Sequence, residues 1–533
     1  MFSYIYIVLF FWFLHILRRS FFWVYFCQLK EYNFGRIFEE LSRNFSIFLP
    51  NVSIVAFVFF ILSPIFLQYQ ITSVLFNIVL SIFYFVLGSW AIFLIYQKKW
   101  KIPEFSPKAI LFLCLVILFN IGIVYFLIDK SVNIFVYLTL LEFLFPLVIF
   151  IFDFILEIPT FIITEYLATK AAKKRDQFKD LISIGITGSY GKTSTKDFLA
   201  TILSEKFNVL KTERSINKRI GIAKTILQNL NENYDIFVCE VAAELKKGTI
   251  KKSAKVFKPQ IGVLTGISQQ HIRFFKDLDQ LSQVKYELIE ALPEDGMAFF
   301  NGSNDICQKL AKRTTKPKII YSLNKTENSD IWAENINQTQ DSVSFEVKRK
   351  KGRGFKIEAP ILGKNQVENL LGAIAVSLSL GMTIPEIRNG AGKVQNPFSS
   401  LKKRENKKGV FIIEDLFSEN PNGVLAALDY LKIFNGKKII IMPCLIELGK
   451  ASDSIHETIG RKIGKVCDFA IITTPFYFSA LKRGAIAEGM NEKNILQFSD
   501  PQKIKQIISP YLKRGNIILL EGRLPLSIIN LFD

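Results

Sequence analysis

Between Met1 and about Leu156 the chain runs in apolar blocks too long for a water-soluble fold. Five stretches, about 2–17, 46–68, 72–95, 109–128 and 132–156, approach the roughly 20 residues a helix needs to cross a bilayer. Inside hydrocarbon every backbone N–H and C=O must be satisfied within its own element, so such blocks predict a bundle of spanning helices. The first block reads as a span rather than a cleavable leader, because nothing basic precedes it and Arg18 and Arg19 follow it.

Orientation follows from the basic connections. Arg18, Arg19, Lys30, Arg36 and Arg43 lie between the first two blocks. Lys98, Lys99, Lys101 and Lys108 lie between the third and fourth, and Lys170, Lys173, Lys174, Arg175 and Lys179 follow the fifth. All fall on one side if the N-terminus is outside and the C-terminus cytoplasmic, which predicts a multi-pass protein of the cell membrane with the bilayer as a partner. Three ionisable residues inside the blocks, His15, Glu142 and Asp153, read as paired within the bundle or close to the interface. Residues 157–181 predict a partly amphipathic linker helix whose basic end rests on lipid headgroups.

Composition changes at about Lys170, after which the chain has the balance of an α/β protein. The 67 basic and 47 acidic residues give a net charge of +20, but no aromatic-basic recognition module accompanies it, so a nucleic-acid partner is not expected. The six cysteines are scattered without a CxxC pair, which predicts neither a zinc site nor a disulfide framework.

Residues 181–187 read as a buried strand, Gly188-Ser-Tyr-Gly-Lys-Thr193 as a glycine turn, and Ser194 onward as a helix. That order makes a phosphate-binding loop: glycines turn backbone N–H groups toward an anion, and the helix N-terminus adds a favourable dipole. Ser189, Tyr190 and Ser194 belong to the same cradle. Lys192 is placed to reach the β and γ phosphates of ATP, and Thr193 to ligate Mg2+.

The short loop Thr187-Gly-Ser-Tyr-Gly-Lys-Thr193 resembles that of Mur ligases and folylpolyglutamate synthases, and later motifs over 182–533 resemble the D-alanyl-D-alanine-adding branch of the Mur ligases. With the apolar blocks read as a transmembrane domain (1–156) and 157–181 as the linker, the resemblance implies an ATP-binding central α/β domain (182–397) and a small doubly wound C-terminal domain (398–533). It implies two Mg2+ ions held by Thr193, by Glu240 at the end of Tyr234–Glu240, by His271, and by Lys285 as a carbamate. Asn301, Asn369 and Asp415 are implied at the nucleotide, and Arg404 at its phosphates. Asn217, Asn420 (in Glu414–Pro421) and Glu447 (in Glu447-Leu-Gly449, with His456 downstream) are implied near the substrate. The chain departs from the family's patterns where Val241-Ala-Ala follows Glu240, where Asn365 replaces a His, and where Glu521-Gly-Arg523 replaces Lys-Gly-Ser, losing a candidate substrate-binding lysine.

Candidate strands Val410–Glu414, Lys438–Met442, Phe469–Thr473 and Ile517–Leu520 define the C-terminal domain, and no GxGxxG opens it. The implied reaction joins a carboxylate to an amine at the expense of ATP through an acyl phosphate, adding an amino acid or dipeptide such as D-Ala-D-Ala to a cell-wall precursor. The apolar blocks stand where the family has a UDP-sugar-binding domain, which predicts either a membrane-held or lipid-linked precursor or simple tethering beside later cell-wall enzymes. Two alternatives stay open at this point: a membrane-bound amino-acid polymer ligase of the poly-γ-glutamate type, and a P-loop ATPase component of a transporter, for which no polar pathway or signature motif is visible.

Overall fold

The structure, a computed structural model, describes residues 2–43, 47, 50–97, 99–128, 133–243, 247–268, 277–397, 401–416, 420–446 and 448–532. It divides into two compact units, Met1–Glu165 and Tyr166–Asp533.

The first unit is helical: α1 (Phe2–Leu29), α2 (Phe34–Arg43), α3 (Asn51–Leu67), α4 (Gln70–Tyr96), α5 (Pro107–Ile128) and α6 (Ile134–Arg175). Four of these, α1, α4, α5 and α6, are long and apolar enough to cross a membrane, and α3 is shorter at 17 residues. Large apolar side chains such as Ile71, Val86, Leu118, Tyr125 and Phe154 point outward, an apolar surface compatible with membrane insertion. Contacts at the helix ends sort the connections. Gln28 at the end of α1 bonds the backbone of Glu104, and Lys108 at the start of α5 pairs with Glu157 at 2.5 Å. At the opposite end Asn133 bonds Asn77 at 2.8 Å. Glu104, the start of α5, the end of α1 and Glu157 of α6 thus share one end of the bundle.

Two boundary expectations are corrected. The first span does not stop before Arg18 and Arg19: α1 runs on to Leu29, with Arg19 buried against Glu142. A charge that finds a partner inside the bundle need not end the helix. Nor are residues 157–181 a separate linker on headgroups. Up to Arg175 they continue α6 as one 42-residue helix. Its last turns are fixed by protein: Ala168 and Ala171 are buried, Lys174 donates to the Leu227 carbonyl at 3.0 Å, and Arg175 donates to Phe178 O, Leu181 O and the Ser183 hydroxyl. The expected five spans correspond to the four long helices and the shorter α3.

The second unit holds two sheets. The strands of the first are β1 (Ile182–Thr187), β2 (Val209–Lys211), β3 (Ile236–Glu240), β4 (Ile261–Leu264), β5 (Met297–Asn301), β6 (Lys318–Ser322), β7 (Ile331–Gln338), β8 (Val343–Arg349) and β9 (Phe355–Ala359). Their spatial order is 2-3-1-4-5-6-7-8-9, parallel from β2 through β7, with an antiparallel β7–β8–β9 extension. The ISIGIT run of β1 is buried on both faces because helices cover both, the usual reason for a continuous apolar strand. The second sheet contains β10 (Lys402–Glu405), β11 (Phe411–Asp415), β12 (Lys438–Met442), β13 (Phe469–Ile472), β14 (Ile495–Gln497) and β15 (Ile517–Glu521), ordered 10-11-15-12-13-14. All its neighbours are parallel except β10 and β11. On β12, Ile440 and Met442 enter one core while Ile439 and Ile441 enter the other, so the sheet is covered on both faces. The four strands expected in this region are present within a residue or two, and β10 and β14 flank them.

Candidate active site

Chemistry in parallel α/β sheets gathers where strands hand over to helices at their carboxyl ends. Here β1, β3, β4 and β5 deliver Thr187, Glu240, Leu264 and Asn301 to that edge. Between β1 and helix Lys192–Leu203 the turn is tied to the segment that follows β4. The Thr265 hydroxyl donates to the Tyr190 carbonyl at 2.5 Å, and Ser189 N donates to Gly266 O at 2.7 Å. Gly191 has φ 78°, in the left-handed region, and a side chain there would collide with the Asn369 amide.

Two lysines converge on one backbone oxygen of this turn. Lys192 Nζ donates to Gly188 O at 2.8 Å and Lys285 Nζ to the same atom at 2.9 Å. Lys285 comes from helix Leu278–Glu290, whose start is capped by the Asp277 carboxylate accepting from Gln280 N at 2.8 Å. Burial pulls both amines below the ordinary lysine value, and for Lys285 the neighbouring Lys192 adds to the effect.

The metal-type donors also meet. Thr193 Oγ1 donates to Glu240 Oε2 at 2.6 Å, and Asn217 Nδ2 donates to Glu240 Oε1 at 3.1 Å. Glu240 is fully buried. A buried carboxylate and a hydroxyl beside a phosphate loop are hard oxygen donors, the set that suits Mg2+. Asn217, expected at the substrate, instead touches this carboxylate. His271 and Glu447 lie outside the described residues.

A cavity of about 310 Å³ opens beside the loop, walled by residues 189–194, by Leu323, by Asn365, Gln366, Glu368 and Asn369, and by Leu401, Asp415, Asn420, Asn422 and Gly423. Of the residues expected at the nucleotide, Asn369 and Asp415 line it, and so does Asn420. Asn420 also caps helix Pro421–Leu431, its Oδ1 accepting from Gly423 N at 2.9 Å. Asn301 does not line it: its amide donates to Thr265 O at 2.6 Å and accepts from Ser303 N at 2.8 Å, so it ties two strand ends together. Arg404 does not line it either. It sits on β10, where its Nε donates to Glu414 at 2.7 Å and its Nη1 to Phe532 O at 3.2 Å.

Sequence reasoning missed Glu368 and Asn422. Glu368 is buried in the cavity wall, and burial raises its carboxyl above the usual range. Its signal was its place in Gly363–Asn369, one residue before Asn369. Glu521 is the register partner of Asp415 across β11 and β15. It is fully buried with no hydrogen-bond partner for either oxygen among the described residues, and burial, then Asp415, push its carboxyl well above the usual value. His456 is also buried. Its Nε2 accepts from Leu445 N at 3.0 Å and its Nδ1 donates to Ser452 O at 2.6 Å, so it pins the segment after β12.

Residues 186–377 match the Mur ligase middle domain, and residues 401–524 match the Mur ligase, glutamate ligase domain. These two domains of the chain belong to the Mur ligase family. Among curated relatives, the UDP-N-acetylmuramoyl-tripeptide–D-alanyl-D-alanine ligase of Buchnera aphidicola is 30% identical over 290 residues, 54% of this chain and 62% of its own. The enzyme of the same name from Bacillus subtilis is 25% identical over 64% of this chain and 72% of its own. The chain thus spans just under two thirds of the first of these relatives. The fold is that of MurF from Acinetobacter baumannii (TM-score 0.62, 23% identity, 69% of this chain and 80% of that one). It is also that of the MurF ligase from Thermotoga maritima solved with ADP (TM-score 0.60, 24% identity, 69% and 83%).

Proposed function

We propose that this Mur ligase is a multi-pass protein of the cell membrane whose cytoplasmic domains form an amide bond at the expense of ATP. The carboxylate of a cell-wall precursor is joined to the amine of an amino acid or dipeptide such as D-Ala-D-Ala. The observation that carries the reading is the meeting of Lys192, Thr193 and Glu240 around one glycine turn, in domains whose relatives bear that ligase name.

The residues divide the work. Backbone N–H groups of the turn and Lys192 hold the β and γ phosphates and neutralise the charge that grows as the γ-phosphoryl group moves to the carboxylate. Thr193 and Glu240 would hold Mg2+, which when bound shields phosphate charge. Lys285, drawn toward its neutral form by burial, is the amine that reacts with CO2, so it suits carbamylation and would then present oxygen rather than ammonium to the site. The cavity walls at Asn369, Glu368, Asp415 and Asn420 take the nucleoside. Closure of the 401–524 domain over it would exclude the water that otherwise hydrolyses an acyl phosphate. The apolar bundle keeps the enzyme at the bilayer, where a lipid-linked acceptor is concentrated.

The test uses full-length protein in detergent with ATP, D-Ala-D-Ala, and either a UDP-linked or a lipid-linked tripeptide, with product read by mass spectrometry. Phosphate release that needs both carboxylate and amine, and that Lys192→Ala lowers by about a hundredfold or more, supports the ligase. Release independent of both substrates overturns it. Equal use of the two acceptors removes the lipid-linked preference and leaves the ligase standing.

A further inference from the structure

The core of the helical unit holds a charged cluster that amide-bond formation does not use. Trp12, His15 and Arg19 recur along one side of α1 and are 2%, 1% and 4% exposed. His15 Nε2 lies 3.2 Å from Glu142 Oε1 of α6. Arg19 pairs with that same oxygen and also donates to the Glu142 carbonyl at 3.1 Å. The Ser53 hydroxyl of α3 donates to this carbonyl at 3.4 Å, and the Arg19 guanidinium lies over the Phe145 ring at 4.7 Å. Three helices therefore build the site.

Its charges do not balance. Arg18 and Arg19 bring two positive charges, and Glu142, with no exposed surface, brings one negative. Glu142 is committed to Arg19. Half-buried Arg18 has no hydrogen-bond or ion-pair partner among the described residues, and its Nε is buried without one. Arg19 Nη2 is likewise buried and unpartnered. An uncompensated guanidinium in hydrocarbon is costly, so the surplus charge calls for an anion.

Position decides which anion. Consecutive helix residues point about 100° apart, so both guanidiniums reach one group only at the seam between the bundle core and its lipid-facing side. Arg18 is about 16 Å along α1 from its Leu29 end, and the 28-residue helix, about 42 Å long, overhangs a hydrocarbon layer of about 30 Å. If the overhang is shared between both ends, Arg18 lies roughly 10 Å below the interface, within reach of a long side chain extending toward headgroups. Two adjacent planar donors match phosphate oxygens. We propose that Arg18 and Arg19 form a binding site for a phosphate group, supplied by an anionic lipid of the leaflet at the Leu29 end of α1, with Glu142 and His15 fixing Arg19. The inference rests on the membrane reading and not on the ligase reading.

The experiment titrates detergent-purified full-length protein with phosphatidylglycerol, with diacylglycerol as the uncharged control, and with inorganic phosphate. Retained lipid is read by native mass spectrometry and stabilisation by thermal midpoint. Wild type is expected to retain phosphatidylglycerol over diacylglycerol. Arg18→Gln, and separately the charge-balanced Arg19→Gln/Glu142→Gln pair, should weaken retention about tenfold, the effect of losing roughly 1.4 kcal/mol. Lys101→Gln, in a connection outside the bundle, should change nothing. Competition by inorganic phosphate would assign the site to soluble phosphate; no competition assigns it to lipid. Retention by both Arg variants equal to wild type, or wild type retaining the two lipids alike, overturns the site. If Arg18→Gln fails to fold, Arg18→Lys, which keeps charge but not the planar fork, should bind at an intermediate level, and wild-type binding there overturns the proposal equally. Failure of the protein to stay with membranes in a carbonate wash separates loss of the membrane reading from loss of this site.

Discussion

At the scale of single residues the site is a set of short polar contacts around one carbonyl and one carboxylate. Glu240 accepts from Thr193 and Asn217 while fully buried, and a buried carboxylate held this way is poised for a cation. Glu240→Gln keeps the shape and removes the charge. The Mg2+ concentration needed for half-maximal ATP turnover should rise about ten- to a hundredfold, measured by metal titration. Lys192, Thr193 and Glu240 lie together where a phosphate loop and a strand-terminal carboxylate place them by local pattern, whereas Lys285 was implied only by the family resemblance. Arg404 and Asn301 were not fully legible. Whether Arg404 faces a phosphate or Glu414, and whether Asn301 faces a base or Thr265, depends on which strands the sheets bring beside them.

Elements lock together where small residues let backbones approach. Helix Ser452–Val466 crosses helix Phe478–Ala487 at Gly460, Gly464 and Gly484, and a Cβ on Gly460 would overlap the Leu481 backbone. Gly460→Ala is expected to cost about 1–3 kcal/mol, seen as a lower thermal midpoint with Lys192 chemistry otherwise intact. The β11–β15 pair carries a pH signature. Glu521 has its carboxyl raised well above 4.5 in the folded protein, so above pH 4.5 the folded state binds more protons than the unfolded state. Stability should therefore fall as pH rises from about 4.5 through the folded value. Glu521→Gln should flatten that slope and leave the acid side unchanged, as read from thermal midpoints across pH. The sequence pointed to these strands by their apolar runs, Ile439–Met442 and Ile517–Leu520. It did not reveal that Asp415 and Glu521 become side-by-side acids, because register is set by the whole sheet.

For the whole molecule the decisive contrast lies between an apolar bundle and an α/β pair of domains. The outward apolar faces of α4 and α5 predict that the chain stays in the membrane pellet after an alkaline carbonate wash, while a truncation to the Tyr166–Asp533 unit is released. The continuous α6 changes what a truncation must respect. Ala168, Ala171 and Arg175 belong to the core of the second unit, so a cut at residue 181 would expose that core, whereas a cut at 165 would not.

The sequence alone determined that an apolar helical part precedes an α/β part, and the order of the phosphate-site motifs, since hydrophobic block length and strand–turn–helix patterning are local properties. Tertiary structure decided where α1 ends, how far α6 runs on, which side of β10 Arg404 serves, and that His15 and Arg19 share one carboxylate. Each of those outcomes depends on partners more than a hundred residues away or on a buried charge finding its match, and no local pattern carries that information.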